Sequence, residues 1–206
     1  MTDIRIWAAR AAGGLAGMCL WTQTAAGTPE PMNPAERGAV PFALAVVPAL
    51  ETPGPDRDVV GLRINLLAGR HRNVSFLDVG LLADIVDMEA YGVTAAGLWN
   101  STGSAHGALQ AAGAVNICYG DCYGAQLAGA HSRTEGTCVG LQSAAVCHAQ
   151  AFKGLQIGFI NRAGELSGVQ VGVVNYAEQS EGIQFGLVNV MPDGRYPVMP
   201  IFNIGF

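Results

Sequence analysis

The chain has 206 residues, a formal net charge of −5, and a composition that is 50% apolar and only 13% charged. That length holds one sizeable domain or one repeat array with a short leader. The single lysine, Lys153, and ten scattered arginines form no basic stripe to neutralise phosphates, which excludes nucleic acid as a partner. No apolar run reaches the roughly 18 residues that a membrane-spanning helix needs, so no transmembrane helix is expected.

Residues 1–26 open with Arg5 and Arg10, continue through an apolar stretch at 11–21, and end at Thr24, Ala25 and Ala26. This is the order of a secretory signal, with cleavage after Ala26, and it predicts export. Met18 stands between a Leu-Ala-Gly triplet and Cys19, which speaks against a lipid-anchored N-terminus. Residues 27–57 read as a linker, because seven of the ten prolines fall between positions 28 and 55 and block regular pairing. Within the linker, residues 42–47 (FALAVV) are a short strand candidate.

The repeat array is assigned to residues 58–195. Gly154-Leu155-Gln156-Ile157-Gly158-Phe159-Ile160-Asn161 recurs as GVQVGVVN from Gly168 and as GIQFGLVN from Gly182, 14 residues apart each time. Looser copies begin at Gly140, Gly124, Ala108 and Gly92, 16 residues apart, and the weakest at Phe76 and Gly61. About nine units result, and such a period marks a stacked repeat architecture in which no unit is stable without its neighbours. Alternation at Leu155, Ile157 and Phe159 indicates strand. The two glycines in each unit and the β-branched Val169, Val171 and Val173 argue against helix. On hydrophobicity, Leu155 and Ile157 are assigned inward and Gln156 outward. Leu155→Asp is then expected to collapse the array, and Gln156→Ser to be mild. The aromatic-rich residues 196–206, with Pro197 and Pro200, read as a C-terminal cap.

Two all-β architectures use such units. In a parallel β-solenoid of about nine coils of 14–16 residues, equivalent positions lie about 4.8 Å apart. The favoured solenoid turns Asn100, Asn116, Asn161, Asn175 and Asn189 into a structural ladder, with Ser132 and His148 as polar replacements. It also aligns Gln110, Gln126, Gln142, Gln156, Gln170 and Gln184 along one exposed face. Cys122 and Cys138 fall at matching positions, within reach of a disulfide; equally, both are small thiols suited to narrow coils. The alternative is an antiparallel β-meander or barrel. Its membrane form requires strands of about 9–11 residues and aromatic girdles, which segments of seven to nine residues do not match.

The pattern resembles a family of bacterial surface-repeat proteins built from tandem GLQxGLxN units. The opening segment, Gly61 to Asn65, then Gly69 to Val74, then Leu77 to Gly80, matches that family's leading motif, and Pro197 to Asn203 its ending. The resemblance covers residues 42–206 and implies export and an envelope or surface location. It carries over no catalytic residue, and the Ala-rich, cysteine-bearing central copies depart from the pattern.

Chemistry-bearing motifs are scarce. His71, His106, His131 and His148 lack metal-ligand spacing, and Cys118 with Cys122 forms C-x3-C without a second pair, so neither metal nor cofactor is expected. Nucleotide-binding glycine loops and the G-x-S-x-G nucleophile elbow are absent. One acidic cluster exists: Asp78, Asp84, Asp87 and Glu89. It reads as a solvated edge that discourages end-to-end association, or as the acids of a small carbohydrate-active β-helix enzyme. The expectation is a noncatalytic envelope or surface scaffold that binds a protein or glycan.

Overall fold

Two glycine positions in each repeat set the path of the chain in the computed structural model, which describes residues 40–46, 51–52 and 58–206. The proposed signal at 1–26 and most of the linker lie outside the described residues. Gly154 adopts a φ of +130°, and a Cβ there would collide with the carbonyl oxygen of Gly140 in the coil below. Gly158 and Gly172 sit at a tight corner, where a Cβ at 172 would press on the Asn161 amide. Phe76 occupies the kink column between Gly61 and Gly92, holds a φ of 109°, and is 73% exposed.

The result is an all-β parallel solenoid of about nine turns, without helix among the described residues. The strands are β1 (Val40–Ala45), β2 (Glu51–Thr52), β3 (Val59–Asn65), β4 (Ala68–Gly80), β5 (Ala83–Ala96), β6 (Trp99–Ala112) and β7 (Val115–Cys118). They continue as β8 (Cys122–Ala128), β9 (His131–Ser143), β10 (Val146–Ile157), β11 (Ile160–Val171), β12 (Val174–Ser180), β13 (Ile183–Val190) and β14 (Val198–Ile204). Pairing is parallel and in register: Gly154 faces Gly168, Gln156 faces Gln170, and Ile157 faces Val171. Antiparallel pairs occur only at the ends of the described ladder, where β2 lies on β1 and β14 on β13. This excludes the meander. Strand β1 pairs in parallel with β3 and covers its open edge; the segment begins at Val40 rather than at position 42.

The interior is narrow. In one coil, Asn161, Ala163, Leu166 and Gln170 are the side chains turned inward, each essentially without solvent contact. The alternation read from sequence is present, but its phase is reversed. Leu155 is 39% exposed, whereas Gln156 and the other five glutamines of the column are fully buried, so no exposed glutamine face exists. The physical reason is that a primary amide stacked on its own copies is satisfied without water. Each Nε2 donates to the Oε1 one coil nearer the N-terminus: Gln126 to Gln110 at 2.7 Å, Gln142 to Gln126 at 3.1 Å, Gln156 to Gln142 at 2.7 Å, Gln170 to Gln156 at 2.7 Å, and Gln184 to Gln170 at 2.8 Å.

A second column runs with the opposite polarity. Asn161 Nδ2 donates to Asn175 Oδ1, and Asn175 Nδ2 to Asn189 Oδ1, each at 2.8 Å. The same nitrogens hold the corner carbonyls of Val171 and Phe185. Asn189 ends the run on Met199 of the antiparallel β14. Asn116 bonds the carbonyls of Gln110 and Leu127, and Asn100 bonds Thr94. Between Asn116 and Asn161 the column holds Ser132 and Cys147; His148, one position on, pairs instead with the arginines Arg133 and Arg162.

One corner residue accompanies that interruption. The corner position three residues before the ladder residue is glycine at 97, 113, 129, 158, 172 and 186, but Leu81 before Asp84 and Ala144 before Cys147. By analogy with Gly172, whose missing Cβ would meet Asn161 and Asn175, the methyl of Ala144 points between Ser132 and Cys147. Both are smaller than asparagine. Asn161 Oδ1, like Asn100 Oδ1 and Asn116 Oδ1, is buried without a hydrogen-bond partner, and Cys147 Sγ lies 3.4 Å from the Ile157 carbonyl, 3.7 Å from that of Ala144 and 3.9 Å from that of Gln142.

Two stability predictions follow from these faces. Gln156→Ala leaves Gln142 Oε1 buried and unpaired, leaves Gln170 Nε2 only its 3.4 Å bond to the Tyr176 carbonyl, and opens a cavity, so it lowers the unfolding free energy by about 3–5 kcal/mol; Leu155→Asp, on the outside, costs under about 1 kcal/mol. Urea titrations of the two variants check the order, which is opposite to the one hydrophobicity suggests. Cys147→Asn alone overfills the corner and destabilises by about 1–3 kcal/mol. Combined with Ala144→Gly, it supplies the donor that Asn161 lacks and raises stability by about 1 kcal/mol above the parent, readable as a shift of the urea midpoint.

Candidate functional site: an uncharged stripe along the coils

The glutamine column does not form a surface, so the outward neighbours of that column define what the protein presents. Four outward positions recur in each coil, exemplified by Leu155, Ile157, Phe159 at the apex of the corner, and Ile160. Register carries the first of them from Leu62 through Leu77, Leu109 and Leu141 to Ile183. The last runs from Ala68 through Trp99, Val115 and Ile160 to Val188. From Leu62 to Val188 these four columns contain no Asp, Glu, Lys or Arg, and His131 and Ser143 are their polar members. The stripe is continuous because in-register coils place like residues side by side. Patches of this kind mark binding surfaces.

The relief of the stripe varies along its length. At the C-terminal coils Phe159, Phe185 and Leu187 stand out from the surface, Leu187 being 71% exposed. In the central coils alanine and glycine replace them, leaving a shallow depression of about 410 Å³ lined by Val79, Ala95, Ala111, Ala112, Leu127 and Ser143. The arginines bordering the stripe are each paired with an acid: Arg70 with Asp87 at 3.0 Å, Arg133 with Glu135 at 3.3 Å, and Arg162 with Glu178 at 3.2 Å. On the other flank Tyr91, His106 and Tyr123 stack ring on ring, with centroids 5.2 and 5.5 Å apart.

The acidic cluster is not one solvated edge. It divides into two buried and two exposed members. Asp78 and Asp84 are fully buried around Arg63, whose guanidinium lies 2.9 Å from Asp78 and 2.7 Å from Asp84. Asn65 Nδ2 donates to Asp78 at 3.0 Å and to Asp84 at 3.3 Å. Register shows why this cluster is internal: Arg63, Asp78 and Thr94 lead the glutamine column, and Asp84 leads the asparagine column. The ion pair therefore terminates both amide ladders at their N-terminal ends. Asp87 is engaged with Arg70, and Glu89 accepts from the Tyr91 hydroxyl at 2.7 Å.

Burial, and then the neighbouring Asp84, push the Asp78 carboxyl well above the ordinary aspartate value, against the pull of Arg63. Burial also raises Asp84, opposed by Arg63, the hydrogen bond from Asp78 and the charge of His71. Two carboxyls beside one guanidinium in a dry interior are favoured when one of them keeps its proton.

Cys118, Cys122 and Cys138 are buried together with Cys147, and all four are free thiols. Cys122 and Cys138 are register partners, yet no disulfide joins them. They fill the same packing column as Ala105, Phe152 and Leu166, where a reduced thiol serves as a small apolar side chain. Contact with Cys118, and then with Cys138, raises the Cys122 thiol, while burial pushes Cys147 up to about 12, so both hold their protons. No group of three or more His, Cys, Asp or Glu able to hold a metal occurs among the described residues, and no described helix is long and apolar enough to cross a membrane.

No protein-family model, curated protein or solved structure matches this chain. Repeat spacing alone points to the glutamines as the exposed face and does not disclose the stripe. One internal signal marks it: glutamine holds its position in six copies, while the flanking positions vary among Leu, Val, Ile, Ala, Phe and Ser. Invariance belongs to the packed side and variation to the open one.

The buried acids give a pH prediction. Because both folded-state values are raised, the folded chain binds protons that the unfolded chain releases above about 4. This contribution to stability is greatest in mild acid and is lost as pH rises from the ordinary aspartate range through the raised folded values. Asp78→Asn removes the proton-binding group while keeping an oxygen for Asn65. Urea midpoints between about pH 5 and about pH 8 therefore decline less in the variant than in the parent.

Proposed function

We propose that the chain is an exported, noncatalytic solenoid scaffold of the bacterial envelope or surface that acts by docking another macromolecule on its uncharged stripe. The stripe itself carries this reading: an outer surface that runs the length of the coils without a formal charge is apolar area a working protein keeps covered. Its aliphatic and aromatic character favours a protein partner over a polar glycan.

The noncatalytic part rests on the fate of the acids. Glycoside hydrolysis needs two accessible carboxyls facing one substrate bond, whereas Asp78 and Asp84 are spent on Arg63 inside the coil, and Asp87 and Glu89 are held by Arg70 and Tyr91. Export rests on the order of charge, apolar residues and small residues in positions 1–26.

Fractionation of the producing cells and N-terminal sequencing test the reading together. Recovery of a chain beginning after Ala26 in the envelope fraction, inactive on a polysaccharide panel, is the expected result. A full-length chain confined to the cytoplasm, or polysaccharide hydrolysis abolished by Asp84→Asn, overturns it.

A further inference from the structure

The geometry points to a second copy of this chain as the partner that covers the stripe, in an antiparallel two-fold pair whose axis passes near Ser143. This rests on the docking role given to the stripe above and adds the identity of its occupant.

Three observations carry it. The first is relief. Phe159, Phe185 and Leu187 project from the three C-terminal coils, and the alanine-lined depression lies in the coils before Ser143. Turning one copy about an axis near Ser143 sets Phe185 above Ala95, Val171 above Ala111, and Ile157 above Leu127, with Leu187 against the exposed Leu98 at the rim of the depression. A contact of this kind satisfies itself twice, because each copy supplies both ridge and hollow. The second is charge. Each chain carries −5 overall, so two copies repel except where they meet without charge, and the stripe offers such a surface. The third is area. Seven coils at about 4.8 Å give a contact about 35 Å long, and a width of about 15–20 Å makes roughly 600 Å² per copy, the lower end of what a specific stable pair buries.

A lipid surface fits less well. One lysine is present in the whole chain, and the arginines bordering the stripe are already paired with Asp87, Glu135 and Glu178, leaving no basic rim for headgroups.

Sedimentation equilibrium of the purified chain at micromolar concentration is the test. A dimer is expected, and Ile157→Arg with Phe185→Arg should weaken it at least about 100-fold while the far-ultraviolet spectrum stays that of the parent and the melting temperature loses its dependence on protein concentration. Independently of those variants, Ser143→Cys should give a covalent dimer on mild oxidation, since the axis brings that residue against its own copy. A parent that remains monomeric at about 100 μM, or a dimer indifferent to the two arginines, overturns the pairing. Should the monomer bind phosphatidylcholine vesicles through the same stripe, the pairing fails while a docking role for the stripe stands. Failure of export or an Asp84-dependent activity fails the scaffold reading without touching the dimer.

Discussion

The structure depends on one interaction: a side-chain amide hydrogen-bonded to the identical amide of the next coil. A glutamine or asparagine buried without such a partner would cost several kcal/mol, and the column is closed to bulk solvent. Stacking in parallel register removes that cost, because the donor of one copy always meets the acceptor of its neighbour. Register is then enforced strongly. A slip of one residue would bring Gln156 opposite a valine and strand both ends of its amide.

The two columns run with opposed polarity. Glutamine nitrogens point toward the N-terminus and asparagine nitrogens toward the C-terminus, so their aligned dipoles offset each other across the interior. Such chains need ends. At the N-terminal end the amides give way to Thr94, Asp78, Asp84 and Arg63, with full charges held in a bonded cluster. At the C-terminal end β14 reverses direction and offers the Met199 carbonyl to Asn189, while Gln184 Oε1 is left without a partner. Both ends are thus made of residues that do not continue the repeat, which is what a stack of finite length requires.

Period, strand character and parallel stacking were all legible in the sequence, because a repeated G-x-Q-x-G-x-x-N specifies two bends and two polar columns at once. The phase of the faces was not. The rule that apolar residues go inside weighs each side chain by its transfer from water, and a laddered amide escapes that rule by cooperation between copies that no single copy displays. The acids misled for a similar reason: Asp78 and Asp84 look solvated in the linear sequence, and only register reveals that they continue the glutamine and asparagine columns. The Ala144, Ser132 and Cys147 group was visible as irregular copies, but its logic needs the corner geometry, in which a methyl on one coil competes for space with side chains on two.

An interior that accepts amides has a consequence for the exterior. In an ordinary two-sided strand the apolar half of the alternation is consumed by the core; here the polar half is, and the apolar half is turned out along much of each coil. The amide ladder alone does not fix those outward residues, since a charged or polar residue at position 155 or 157 would leave it intact. Nine coils nevertheless keep that stripe free of charge, while charges are freely used around the rest of each coil, at Arg162, Glu178 and Lys153. An apolar strip with projecting rings at one end and a hollow in the middle has the form of a contact made with a body of matching relief, and the same chain turned end for end supplies one.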